Sequence, residues 1–438
     1  MRIEAQLDVD VIAVETDDQL SVLIELAAPV LPSSDEPRPA STLEVVLDRS
    51  GSMSGSRIDG AKIALDNLVS RLEPTDNFGL VVFDNLVEVI VPAGPLSDKH
   101  QVKQLIAGVQ TRGNTDLSSG YLRGLQEAQR AMGPAGATVL LISDGHANAG
   151  VTDLEALGGI AARAQANKVT TSTLGYGLGY DERLMSAIAR GGSGNELFAE
   201  EPDTAGALIA GEVEGLLSLS AQAASVSIEV SPHVRAVQIV NDLPVTTTGK
   251  ALMAELGSFY SGETRKLVLT FDIPAIAALG LAQVATCTFT WVELPTLAQH
   301  TLTVPIHVNV VPGDQAAGRI PDPVVRTELV FLQVQQAKRH ASDLLSGGKV
   351  EDAAQAIGLS LSTVHRMLAN APASMRADLA DEAAALTYLK AQVEQGSISR
   401  AAKFSSMDAQ SKSSKRGRQS GEKPSAPQGE HKPPEPGA

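Results

Sequence analysis

Val45-Val46-Leu47-Asp48-Arg49-Ser50-Gly51-Ser52-Met53 is the stretch that decides how the chain reads. The apolar run from Leu43 to Leu47, interrupted by Glu44, has the pattern of a buried strand and leads into a polar turn that contains glycine. One carboxylate and two hydroxyls follow at alternate positions, so Asp48, Ser50 and Ser52 bring three oxygen ligands to one strand end. Hard oxygen donors suit Mg²⁺ or Mn²⁺, whereas zinc would want histidine or cysteine. The same residues also read as a plain capped turn, with Ser56 or a neighbour as N-cap of the next helix. These nine residues leave both readings open.

Two later stretches add to the first. Gly113-Asn114-Thr115-Asp116 supplies another hydroxyl in a turn before a helix, and Thr138-Val139-Leu140-Leu141-Ile142-Ser143-Asp144-Gly145 is a second apolar strand that ends in a carboxylate. Together they resemble the metal-ion-dependent adhesion site (MIDAS) of the von Willebrand factor A (VWA) family. Asp48, Ser50 and Ser52 match its D-x-S-x-S, Thr115 its isolated threonine and Asp144 the aspartate of its strand-end Asp-Gly. The resemblance spans residues 43–218 and implies a Rossmann-like, doubly wound α/β domain. It also implies that Ser50, Ser52 and Thr115 offer hydroxyl oxygens to Mg²⁺ or Mn²⁺, with Asp48 and Asp144 binding directly or through water. Magnesium keeps open positions in such a site, which an Asp or Glu of a protein partner would complete. Bacterial cytoplasmic relatives act beside AAA+ ATPases of the MoxR or magnesium-chelatase type, so an ATPase assembly is an implied partner.

Composition narrows the alternatives. With 438 residues, 43% of them hydrophobic, the chain can bury a sizeable core and is expected to form more than one domain. No stretch approaches the roughly 18 unbroken apolar residues of a membrane span. The alternating, acidic N-terminus lacks the apolar centre of a secretory signal, which leads to the expectation of a cytoplasmic protein. A single cysteine, Cys287, excludes an intramolecular disulfide; with Phe289 and Trp291 on its strand face it reads as a packed core thiol. The net charge is −16, and because residues 403–438 carry +3 the body before them carries −19. Such a body repels nucleic acid, and aromatics make up only 3% of the chain.

Along the chain, residues 2–15 and 19–29 alternate as two strands around Asp17-Asp18, and the Pro- and Ser-rich residues 31–41 read as a connector. Strands and helices alternate from 43 to 218, which predicts a mainly parallel sheet covered on both faces. Its helices are expected to open at Ser97 and at Thr152, the latter with Glu155 as capping-box partner. Gly175-Tyr176-Gly177-Leu178-Gly179 fits neither dinucleotide nor P-loop spacing and reads as a tight strand-to-helix turn. Six strands between 224 and 311 predict an antiparallel sandwich, and residues 1–30 are expected to return to it, so that the α/β domain is inserted. A helical bundle is predicted over 324–396, although Glu382 breaks its apolar repeat, and 403–438 reads as a disordered tail. The Lys415-Arg416-Gly417-Arg418 cluster there could hold an acidic partner or the acidic body.

The leading functional expectation is a non-enzymatic, metal-dependent protein-binding scaffold. One alternative is recruitment through the C-terminal helices, with a metal that only stabilises the fold. Another is a metal-dependent hydrolase using His146, the one histidine near the motif, which lacks the further base or nucleophile such chemistry needs.

Overall fold

The computed structural model describes residues 1–31, 40–144, 149–249, 251–294 and 296–413. Alternating apolar residues form β1 (Arg2–Leu7), β2 (Val11–Ala13) and β3 (Asp18–Ala27). β1 pairs antiparallel with β3, whereas β2 leaves them and runs parallel to a distant strand in another sheet. The expected continuous strand over 2–15 is therefore broken.

The α/β segment runs β4 (Thr42–Asp48), α1 (Ser56–Arg71), β5 (Asn77–Phe83), β6 (Val87–Pro95), α2 (Lys99–Ala107), α3 (Leu117–Ala131), β7 (Ala137–Ser143), α4 (Leu154–Ala166), β8 (Val169–Tyr176), α5 (Glu182–Gly191), β9 (Ser193–Ala199) and α6 (Pro202–Leu217). Its sheet has the order β6-β5-β4-β7-β8-β9 and is parallel except for the β5–β6 hairpin. Each of the seven residues of β4 is buried. Val45 and Leu47 pack with residues of α1 and α6 on one face, and Val46 with residues of α3 on the other. This is what a strand covered on both faces requires, and it explains the unbroken apolar run. Asp98 and Asp153, rather than Ser97 and Thr152, accept the first-turn N–H bonds of α2 and α4. Gly55, not Ser56, precedes α1.

The chain then forms β10 (Leu219–Val230), β11 (Ala236–Ile239), β12 (Val245–Thr248), β13 (Ala251–Tyr260), β14 (Thr264–Ile273), β15 (Gly280–Glu293) and β16 (Gln299–Val311). The short β12 was not expected. Two further sheets result, with the orders β1-β3-β14-β11 and β12-β13-β10-β15-β16-β2. One apolar core contains residues of both sheets, among them Leu20, Val22, Ile24, Val226, Ile228, Leu267, Phe271, Cys287 and Phe289. Burial pushes the Cys287 thiol up to about 12, in keeping with a packed thiol.

After α7 (Gly313–Ala316) come α8 (Pro323–Ser346), α9 (Val350–Asn370), α10 (Arg376–Glu394) and α11 (Ile398–Ser413). Val325, Leu329 and Leu332 of α8 cover Leu23 and Val268 on the outer face of the four-stranded sheet. The predicted tail is corrected here, because 403–413 is helical and largely buried. Lys403 Nζ donates to Tyr180 O at 2.7 Å and to Glu182, and Ser406 Oγ donates to Glu196 at 3.1 Å. The buried side of α11 is Ala, Ser, Lys and Gln, so it presents no apolar stripe to a sequence reading. Glu382 likewise is no defect in the bundle. It is fully buried, accepts from Lys338 Nζ at 2.8 Å and Lys412 Nζ at 2.6 Å, and the same two lysines hold Asp408. The Lys415–Arg418 cluster lies outside the described residues.

Glu44 is the exception within β4. It is fully buried, and neither carboxyl oxygen has a hydrogen-bond partner among the described residues. Burial, with the nearby negative charge of Glu127 adding to it, pushes its pKa up to about 9 from 4.5. The folded protein therefore holds a proton that the unfolded chain releases, and stability falls as pH rises through that window. Glu44→Gln is expected to abolish this slope and to raise the melting temperature most on the alkaline side, by the equivalent of about 3–5 kcal/mol at pH 8. Melting curves of both proteins from pH 5 to 9 check this, and parallel profiles would contradict it.

Candidate metal centre

The parallel register brings the two carboxylates together. Asp48 ends β4 opposite Phe83, and Leu47 pairs with Ile142 of β7, so Asp144 leaves the sheet at the same edge. In open sheets of this kind the crevice outside the carboxyl ends of the strands is where ligands sit. Asp48 is fixed on both oxygens: Oδ1 accepts from Ser50 N–H at 2.8 Å and Oδ2 from Ser143 Oγ at 2.6 Å. Burial raises its pKa to about 6 against the opposing effect of these bonds. Ser50 Oγ and Ser52 Oγ lie 3.0 Å apart, and Ser52 Oγ donates to Asp144 Oδ1 at 2.7 Å.

Thr115 is buried in the loop before α3. That loop is tied to the first by Gly51 N–H on Gly113 O at 3.2 Å. Gly113 is required where it is: its φ is +72°, and a Cβ there would come within 2.2 Å of Asn85 Oδ1. Thus Asp48, Ser50, Ser52 and Asp144 form one hydrogen-bonded group, with Thr115 in the adjoining loop. His146 lies outside the described residues.

Several contributors were not expected from the sequence. Asp84 is a buried carboxylate that accepts from Arg49 Nε at 2.8 Å, Arg112 Nε at 2.9 Å and Leu86 N–H at 2.8 Å. Burial alone would raise its pKa, but these donors outweigh that and hold it below the usual value. Its own carbonyl accepts from Asp116 N–H at 2.8 Å, so one residue links three loops around the site. Arg57, in the first turn of α1, pairs with Asp144 Oδ2 and donates to Ser52 O at 3.2 Å. A signal for Arg57 was available, because a cation in the first turn opposes the helix dipole and asks for a reason.

The donor set fits a small hard cation. Adjacent oxygens of an octahedron with bonds of about 2.1 Å lie about 3 Å apart, close to the Ser50–Ser52 separation. Among the described residues no three His, Cys, Asp or Glu side chains form a metal cage, so hydroxyl oxygens would have to contribute.

Comparison with known proteins agrees with this architecture. Residues 43–209 match the von Willebrand factor type A domain, and the chain carries that domain. Such domains generally serve protein–protein interaction. The protein sll0103 of Synechocystis is 26% identical over 235 residues, which are 51% of this chain and 55% of that one. The chain thus spans about half the length of that relative. Among solved structures, a von Willebrand factor type A protein from Catenulispora acidiphila aligns over 94% of this chain and 96% of its own, with 14% identity and a TM-score of 0.70. The ArnB paralog VWA2 from Sulfolobus acidocaldarius aligns over 94% and 97%, with 15% identity and a TM-score of 0.63. At such identities the likeness is one of fold.

Removing Asp84 tests the loop arrangement directly. Asp84→Ala leaves the buried Arg49 with only the half-exposed Glu88 as its anion and is expected to cost about 2–4 kcal/mol. Amide exchange should accelerate at 49–53 and 111–116 and stay unchanged in β10, β15 and β16; uniform acceleration or none would contradict the assignment.

Proposed function

We propose that this chain is a metal-dependent protein-binding scaffold, with the α/β unit of residues 43–218 inserted in a β-sandwich of residues 1–30 and 224–311 and followed by a helical region. Mg²⁺ or Mn²⁺ would be held by Ser50, Ser52 and Thr115 through hydroxyl oxygens and by Asp48 and Asp144 through carboxylates or intervening water. The observation that carries this reading is the pair of serine hydroxyls 3.0 Å apart, bonded to a carboxylate at the sheet's C-terminal edge. The bound ion supplies positive charge and an open coordination position. The chain's part is to fix the oxygens and, with a formal charge of −16, to leave the cation as the local attraction for an acidic ligand. The ligand class is therefore a protein presenting Asp or Glu, and an AAA+ ATPase of the MoxR or chelatase type is the first partner to test. No catalytic step is assigned to the chain, and a cytoplasmic location belongs to this same reading.

Among the described residues no helix is long and apolar enough to cross a membrane.

The test has two stages. Calorimetric titration with Mn²⁺ should show one site in the wild type and a loss of at least about tenfold in affinity for Ser50→Ala and Asp144→Ala, as expected when a ligand to a metal is removed. Partner capture should then occur with wild type plus metal and fail with chelator or with Asp144→Ala. Capture that survives both would assign recognition to the helices after Pro321 instead.

A further inference from the structure

The oxygen cluster already contains a cation of its own. Asp144 is buried, and both of its carboxylate oxygens are engaged: Oδ1 accepts from Ser52 Oγ at 2.7 Å, and Oδ2 is held by the Arg57 guanidinium. Nη1 of Arg57 also donates to Ser52 O at 3.2 Å, so the arginine grips both the D-x-S-x-S turn and the second strand end. We propose that Arg57 is a built-in counter-cation of this centre, and that a divalent ion engages Asp144 only in competition with it. The inference rests on the metal-binding reading above and adds to it how access to the site is controlled.

Three features support the assignment. Arg57 stands in the first turn of α1, where the helix dipole disfavours a positive charge, so its position needs the compensating carboxylate. Its side chain is 36% exposed while that of Asp144 is 0%, so the guanidinium reaches in from the surface and has solvent to return to. The turn Gly175-Tyr176-Gly177-Leu178-Gly179 is shaped around the pair. Gly177 has φ +72°, and a Cβ on it would come within 3.0 Å of Arg57 Nη2; one on Gly179 would come within 3.1 Å of Asp144 O. These glycines, which match no nucleotide motif, give the arginine and the strand end the room they occupy.

Displacement exchanges one positive charge on Asp144 for two. The protein with arginine therefore binds a divalent ion more weakly than the same oxygens would without it, and the metal-free form is held in order meanwhile.

Mn²⁺ titrations followed by the paramagnetic resonance of the free ion, on wild type, Arg57→Gln, Arg57→Lys and Asp144→Asn, test this. Arg57→Gln is expected to tighten Mn²⁺ binding by about tenfold or more, and Arg57→Lys to fall between it and wild type. Without metal, Arg57→Gln should lower the melting temperature, and lower it less when Asp144→Asn is also present. If wild type binds Mn²⁺ through Asp144 and Arg57→Gln binds it no more tightly, the counter-cation role is overturned and the metal site stands. If Mn²⁺ binds neither protein, the metal-site reading fails and the competition fails with it. Circular dichroism of each variant separates these outcomes from misfolding, and the lysine variant preserves the charge if glutamine disturbs α1.

Discussion

The buried carboxylate of Asp84 is the contact on which the candidate site's geometry depends. It receives Arg49 from the first loop, Arg112 from the loop before α3 and the Leu86 amide from its own turn, while its carbonyl takes the Asp116 amide. Strand ends alone would deliver Asp48 and Asp144 to one edge of the sheet, but the serines and Thr115 sit on irregular backbone. Irregular backbone keeps a fixed shape only when its polar groups are satisfied, and a buried anion with three donors does that at low dielectric.

The α/β segment was legible because a strand covered on both faces must be continuously apolar and because the oxygen ligands follow one another at short spacing. The parts that escaped were those held by polar burial. α11 has no apolar stripe because its buried side is Ala, Ser, Lys and Gln, and Glu382 looked like a fault until Lys338 and Lys412 were seen against it. Arg57 differs: its place in a helix's first turn is a signal in the sequence, but its partner depends on where a long side chain ends, which spacing along the chain does not encode. The crossing of β2 to the other sheet depends on a parallel pairing with β16, nearly three hundred residues away, and three residues carry too little pattern to announce it.

The helical region and the candidate site share a loop. Between β8 and α5, Gly177 and Gly179 approach Arg57 and Asp144, while the carbonyl of Tyr180 accepts from Lys403 of α11, whose ammonium also lies 4.3 Å from the centre of the Tyr180 ring. The acidic α/β unit thus meets its helices through buried charge rather than through an apolar seam. Such contacts fix orientation more than they add stability, because desolvation offsets much of the attraction.

The pairing of β3 with β14 has a consequence for how the protein is made. Ala27 lies opposite Thr264, so on the ribosome β3 can join β1 early but keeps its other edge open while the entire α/β unit is synthesised. At about 5–20 residues per second that interval lasts on the order of 10–50 seconds. The α/β unit, whose sheet pairs only strands within residues 42–199, has time to fold within that interval. The nascent chain therefore carries an unpaired strand edge beside the folding α/β unit, and translation speed through residues 28–263 sets how long that edge is exposed to other chains.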